Sequence, residues 1–461
     1  MGGGRAAPNE ESGKHPLSKP AMTESLLGFA VLLALIFLRV PIAFAMALVG
    51  GIGFALLRDP FAAFSMIGQT AFDKGLSYSL SVVPLFILMG NLITLAGVSD
   101  DLYRAAYAVL GRFRGGLAMA SVTACGGFSA VCGSSLATAA TMSKVAMPSM
   151  RQFGYADSLA TGSIAAGGTL GILIPPSVIM VVYGLLTEAD IGKLFIAGIL
   201  PGLLGILFYA LAVAVATWLR PESGPAGERL GLRETLSALK GILEVTILFL
   251  VIMGGIYGGL FTPTEAAGIG AAASLVIVLA HRRLTWAGLS RALLESVRTT
   301  AMIFAVIIGA EIFTNFVNLA GLPDAIAEFI ADLDADTLLV LLAIVVIYLL
   351  LGCVLESLSM ILLTVPVFYP LMYELEFASA LLQDPELAII WFGIVVLVVT
   401  EISLITPPIG LNVFVLRAVV QDVDLKTIFK GVTPFWIADI LRLALLMAVP
   451  GISLWLVAAM G

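Results

Sequence analysis

Apolar runs long enough to cross a bilayer follow one another from Leu26 to Ala458, and no other feature constrains this chain so strongly. Hydrocarbon offers no water to backbone N–H and C=O groups, so each run must satisfy them internally. Two of the runs nevertheless contain adjacent prolines. "GILIPPSVIMVVYGLL" begins at Gly171 and "LITPPIGLNVFVLRAV" begins at Leu404. A proline removes a helical hydrogen bond and clashes with the preceding turn, at about 3 kcal/mol. A single Pro-Pro pair is explained as readily by a packing kink. Two pairs, at matching points of two halves, call for another reason.

Hydrophobic residues make up 60% of the chain and charged residues 12%. Soluble domains carry about 25% charged residues, so a soluble protein is excluded. There is room for roughly ten to twelve crossings of about 20 residues each. The net charge of −7 comes with no basic stripe, which argues against nucleic acid. Cys125, Cys132 and Cys353 all fall in apolar segments, so no disulfide framework is expected, and His15 and His281 are too few for a histidine metal site. Residues 1–22 read as a polar, disordered tail. No small-residue cleavage site follows Leu26–Leu38, which therefore reads as the first span rather than a signal peptide.

The proline pairs belong to a wider internal repeat. "NLITLAGVSD" from Asn91 recurs as "NFVNLAGLPD" from Asn315, and "MPSM" from Met147 as "YPLM" from Tyr369. "DIGKLFIAGILP" from Asp190 recurs as "DLKTIFKGVTP" from Asp424. All the matches keep one order and a nearly constant offset. The loops then set the orientation, because Lys and Arg collect on the cytoplasmic side. Segment 98–114 holds Arg104, Arg112 and Arg114, whereas its partner 322–336 holds only acids: Asp324, Glu328, Asp332, Asp334 and Asp336. Segment 281–298 holds Arg282, Arg283, Arg291 and Arg298, while in its partner 58–76 the cations Arg58 and Lys74 are balanced by Asp59 and Asp73. Equivalent loops thus lie on opposite sides, and both termini are expected in the periplasm.

With that orientation, 115–150 and 337–373 are each too long for one span, yet each must begin and end on one side. Both are rich in residues unsuited to lipid, as in "CGGFSAVCGSSLATAA" and "GCVLESLSM". Re-entrant hairpins fit, since irregular backbone at that depth must be buried in protein or line a cavity. The chain therefore reads as an all-α polytopic membrane protein of two inverted repeats, 23–219 and 241–461, joined by a cytoplasmic linker, 220–240. Hairpins are expected at about 115–150 and 337–373, and discontinuous helices at about 157–186 and 387–420.

Inverted repeats with broken helices and hairpins characterise secondary transporters. At a break, freed carbonyls and hydroxyls suit a hard cation such as Na⁺, and freed amides suit a carboxylate. Gly168, Gly171 and Ile174 would present backbone beside Pro175 and Pro176; Thr400, Ser403 and Thr406 would present hydroxyls before Pro407. Ionisable residues within spans are costly and usually functional, which singles out Glu356 for transport. Glu311 and Glu401 are read as pairing with neighbours or holding helices together, Asn91 and Asn315 as interhelical hydrogen bonding, and Lys144 as snorkelling. Arg417 either binds a substrate carboxylate or snorkels to the cytoplasmic face; with Asn412 and Ser177 it forms the candidate substrate set.

The block "CGSSLATAATMSKVAMPSMRQFGYADSLATGSIAAGGTLGILIPPSVIMVVYGLLTEADIGKLFIAGILPGLL" (Cys132–Leu204) resembles the large membrane (M) subunit of tripartite ATP-independent periplasmic (TRAP) transporters, and "TPPIGLNVFVLRAV" resembles that family's second broken helix. The resemblance extends over nearly everything from Leu26 onward. It implies an elevator-type, sodium-driven symporter importing organic acids such as C4-dicarboxylates or sialic acid across the bacterial inner membrane, with no cofactor beyond the coupling ion. It also implies two partners, a small membrane (Q) subunit, expected here as a separate chain, and a periplasmic substrate-binding (P) protein. Carried over, Gly133, Ser134 and Ser135 would face Gly171, Ile174 and Pro176 to form a first sodium site. Cys132 stands where the family often has Ser, and a neutral thiol is a poor sodium ligand. By pseudo-symmetry Glu356 and Ser357 would face Thr400, Ser403 and Thr406 for a second site.

Other classes fit poorly. A primary pump needs a phosphate loop, and no GxxxxGK[ST] occurs. An intramembrane serine protease needs a base beside its nucleophile, and neither histidine lies in a span. The serious rival is a stand-alone sodium/carboxylate symporter of similar architecture.

Overall fold

The computed structural model describes residues 19–332, 336–373 and 375–459, and among these every regular element is a helix. The first half runs α1 (Lys19–Phe37), α2 (Ile42–Leu57), α3 (Pro60–Gly75), α4 (Val82–Ala96), α5 (Val98–Leu110), α6 (Gly116–Cys132), α7 (Ser135–Gln152), α8 (Asp157–Thr169), α9 (Val178–Thr187) and α10 (Ile191–Leu219). The second runs α11 (Leu232–Gly241), α12 (Leu243–Tyr257), α13 (Pro263–Ala280), α14 (Trp286–Leu319), α15 (Leu322–Asp332), α16 (Thr337–Gly352), α17 (Ser357–Phe368), α18 (Pro385–Ile405), α19 (Leu411–Val419), α20 (Leu425–Ala448) and α21 (Gly451–Ala458). Of the expected polar tail, residues 1–18 lie outside the described residues, as does Asp334 of the acidic segment 322–336; α1 begins at Lys19.

Helix starts follow local chemistry. Asp59 Oδ1 accepts from the Ala62 amide at 2.8 Å ahead of α3, and Asp190 Oδ1 from the Lys193 amide at 2.8 Å ahead of α10. Thr262 and Glu265 close a capping box around Pro263 at the start of α13. Each device satisfies amides that the first turn leaves free.

The count of crossings differs from the sequence expectation. Among the described residues six helices are long and apolar enough to span alone, and a seventh span appears if α11 and α12, bent by 47° at their junction, are taken together. Much of the remaining apolar length goes into helices too short to span, including the hairpin arms α6, α16 and α17 and the half-helix α9. Hydropathy registers the length of an apolar run but not where it turns back.

The two halves interlock. α2 packs on α14 and α13 on α4, so each half lends a helix to the other. These contacts bring backbones together: a Cβ on Gly50 would lie 2.6 Å from Phe313 Cα, and one on Gly309 would lie 2.3 Å from Ala43 O. In a membrane, small residues at crossings permit this approach and the dispersion it provides. A second body forms from α6–α10 and α16–α20. Here α8 crosses α20 backbone to backbone, with a Cβ on Gly162 falling 2.2 Å from Gly431 O. α7 seats on α19 and α17 on α9, so each hairpin leans on the other half's broken helix. At the centre, α18 is buried from Ala388 through Ile405 on every side, as a helix apolar all round requires. At the periphery α10 shows Leu203, Leu207, Leu211 and Val215 outward at four-residue spacing, a lipid-facing stripe.

Candidate functional site

The first break is built by α8, which tightens into a 3-10 turn at Leu170–Ile172 before the chain passes Pro175 and Pro176, joined by a cis peptide. Ser177 then caps α9, its hydroxyl 3.5 Å from the Met180 amide. Opposite, α6 ends at Gly133 with φ +62°, a left-handed conformation that a side chain would strain. Ser134 caps α7, accepting from the Ala137 amide at 3.3 Å. Tip and break touch. A Cβ on Gly171 would lie 3.2 Å from both Ser134 C and Ser135 N, and one on Gly133 would lie 3.4 Å from Pro176 O. Gly133, Ser134, Ser135, Gly171 and Pro176 are therefore brought together. Ile174 turns its side chain away, toward Gly126 and Gly202 of α6 and α10.

Two residues that the sequence reading missed belong beside this tip. Ser129 and Thr138 are fully buried; among the described residues the Ser129 hydroxyl has no hydrogen-bond partner, and the Thr138 hydroxyl has only the weakly bonding Cys132 thiol. Ser129 Oγ would lie 3.3 Å from a Cβ on Gly171. Each sits one helical turn from the tip: the Gly133 amide donates to Ser129 O and the Thr138 amide to Ser134 O, both at 3.0 Å. Counting one turn in either direction from "GSS" would have found them. Buried hydroxyls are normally hydrogen-bonded, so an unpartnered Ser129 oxygen beside a Thr138 oxygen held only by a thiol fits a hard cation at this tip.

The second break has the same layout with different chemistry. The Cys353 thiol donates to Pro407 O at 3.4 Å, and a Cβ on Gly352 would lie 2.3 Å from Ser403 Oγ, so the α16–α17 tip abuts the end of α18. Glu356 caps α17, its carboxylate accepting from the Ser359 amide at 3.3 Å, and Ser357 follows it, buried. The α18 hydroxyls are already engaged within their helix. Thr400 donates to Val396 O (2.7 Å), Ser403 to Thr400 O (2.7 Å) and Thr406 to Ile402 O (2.6 Å). Thr406 Oγ1 also accepts from Trp436 Nε1 at 3.0 Å.

The candidate substrate residues are dispersed. Ser177 is fully buried at the first break. Asn412, also fully buried, donates from Nδ2 to Ala165 O at 3.0 Å and so ties α19 to α8, while its Oδ1 has no partner among the described residues. Arg417 lies in the last turn of α19 and donates to the Val420 and Gln421 carbonyls.

A charge network between the broken helices was only partly anticipated. Arg442 pairs with Glu401 and, at 2.9 Å, with Asp439. Tyr209 donates to Asp439 Oδ2 at 2.5 Å and lies 3.1 Å from Thr169 Oγ1. All five residues are fully buried and join α8, α10, α18 and α20. Arg442 reaches α10 over Gly205, where a Cβ would lie 2.0 Å from Nη1. The sequence signal for it was Asp439 and Arg442, two opposite charges three residues apart in an apolar helix. Elsewhere Glu311 pairs with Lys74 at 3.4 Å and Asn91 donates to Ser296 at 2.8 Å, both between elements of the first body. Lys74, Glu311 and Asn318 face Glu188 and Tyr369 of the second body across a cleft of about 470 Å³.

Residues 29–452 match a family model described as the DctM component of tripartite ATP-independent periplasmic transporters. The chain is 37% identical over 385 residues to the C4-dicarboxylate TRAP transporter large permease protein DctM of Pseudomonas aeruginosa, spanning 83% of this chain and 87% of that protein. It is 32% identical over 440 residues to the sialic acid TRAP transporter large permease protein SiaM of Vibrio cholerae, spanning 94% and 98%. Among solved structures, the Alcanivorax borkumensis YdaH transporter matches with a TM-score of 0.59 and 16% identity, over 95% of this chain and 98% of that one, a likeness of fold.

Proposed function

This chain belongs to the DctM family of tripartite ATP-independent periplasmic transporters, and from that premise we propose that it imports a small organic acid driven by sodium. The observation that carries the reading is the contact of each hairpin tip with a proline break, at Gly171–Ser134 and at Pro407–Cys353. Sodium binds first among the neutral oxygens near Ser129, Ser134, Ser135 and Thr138, and a second ion binds near Glu356. The freed amides at the starts of α9 and α19 then favour a carboxylate between the two tips. The relatives named for C4-dicarboxylate and sialic acid both handle carboxylates, which supports an acid as substrate.

In this reading α6–α10 and α16–α20 move as one body against α1–α4 and α11–α14, with α5 and α15 as connecting arms. The Gly162–Gly431 crossing and the Arg442 network support a rigid moving unit, since a buried ion pair separates only at a cost of several kcal/mol. A periplasmic binding protein delivers the substrate and a small membrane subunit completes the assembly in the inner membrane.

The test is uptake into proteoliposomes with an inward sodium gradient. The chain with its small subunit should be silent toward free acid and active once loaded binding protein is added. Robust sodium-driven uptake of free acid by this chain alone would replace the proposal with a stand-alone symporter.

A further inference from the structure

Two grooves flank α10, one against α21 and one against α20, and they differ in charge. One, of about 660 Å³, lies beside Leu203, Leu207 and Trp455 and is lined by no charged residue. The other, of about 630 Å³, is apolar along Leu211, Val215, Ile437 and Leu441 but has Arg220 and Lys430 at its mouth. Ser158 and Ser223 stand beside the two cations. Neither Arg220 nor Lys430 is in an ion pair among the described residues, whereas Arg151 and Lys193 both are. The groove has a firm floor, because α8 and α20 meet at Gly431, where a Cβ would lie 1.9 Å from Ser158 O.

We propose that this charged groove binds one anionic glycerophospholipid, with an acyl chain along α10 and α20 and the phosphate between Arg220 and Lys430. The dimensions suit a single leaflet. From Leu211 to Arg220 the helix rises about 13 Å, close to half of a hydrocarbon layer roughly 30 Å thick. The charge suits the same leaflet, because Arg220 opens the linker that the distribution of Lys and Arg places in the cytoplasm. An apolar trough alone would accept any lipid tail; two unpaired cations at one end select a head group carrying net negative charge. The opposite groove, which has no charged residue, is the internal control.

The experiment is native mass spectrometry of the purified full chain in detergent micelles, titrated with phosphatidylglycerol or with phosphatidylcholine of the same chains. Phosphatidylglycerol should be retained at one preferred site and phosphatidylcholine should not. Arg220→Ala and Lys430→Ala should each weaken retention about fivefold and the double variant about thirtyfold. Arg112→Ala, which removes a cytoplasmic cation elsewhere, should leave retention unchanged, and inorganic phosphate alone should not compete. If the alanine double variant elutes as aggregate, Arg220→Gln/Lys430→Gln makes the same test. Equal retention of phosphatidylcholine, displacement by phosphate alone, or wild-type retention in a monodisperse double variant would overturn the site.

Discussion

The two hairpin-and-break pairs occupy equivalent places in the repeat, yet they present different groups. At the first, among the described residues the buried Ser129 hydroxyl has no partner and Thr138 has only the Cys132 thiol, and a serine, not a carboxylate, caps the tip. At the second, a carboxylate caps the tip, and the three hydroxyls of α18 donate to their own helix. Pseudo-symmetry of the backbone thus reproduces the meeting of tip and break without reproducing the ligands. Under the proposed function, the first site would receive its ion among neutral oxygens. Under the same proposal, charge from Glu356 would do more of that work at the second, because Thr406 already holds Trp436.

The comparison can be broken most severely through what joins the two sites. Arg442→Met leaves Glu401 and Asp439 buried without their cation, a loss on the order of 3–5 kcal/mol. Thermal unfolding in micelles should fall sharply, and sodium dependence should be lost at both sites together. A shift within 1 kcal/mol of the parent would mean that the halves do not depend on this network.

The next effect separates the sites. Ser129→Ala/Thr138→Val, like Ser134→Ala/Ser135→Ala, removes neutral ligands, each worth on the order of 1–3 kcal/mol, or roughly five- to a hundredfold in apparent sodium affinity. Because Ser129 has no partner among the described residues and Thr138 has only the weakly bonding Cys132 thiol, their replacement should leave unfolding nearly unchanged. Unaltered sodium dependence of uptake in a well-folded Ser129/Thr138 variant would remove both residues from the first site.

The smallest effect is expected at Thr406. Thr406→Val should cost about 1 kcal/mol through the lost Trp436 hydrogen bond and shift sodium affinity less than twofold. Glu356→Gln keeps an oxygen to cap α17 and should weaken sodium binding by more than Thr406→Val does. Thr406→Val exceeding Glu356→Gln would reverse the assignment of ligands at the second break.

Adjacent prolines kink or break an apolar helix, and their recurrence at matching points of the two halves made both breaks legible at Pro175 and Pro407. The hairpin tips were legible because Gly, Ser and Glu at that depth need protein around them. The all-helical architecture followed from the apolar runs, although the number of full spans did not, since a run that turns back has the same hydropathy as one that crosses. Local chemistry decided these features, and the sequence by itself determined them. Tertiary structure decided which polar atoms are free. A serine or threonine in a helix bonds back to the preceding turn unless something outside the helix competes, and nothing in "SAVC" or "TEISLIT" tells Ser129 from Ser403. The meeting of Glu401 with Asp439 and Arg442 likewise required α18 and α20 to cross at one height, which packing sets and spacing along the chain does not.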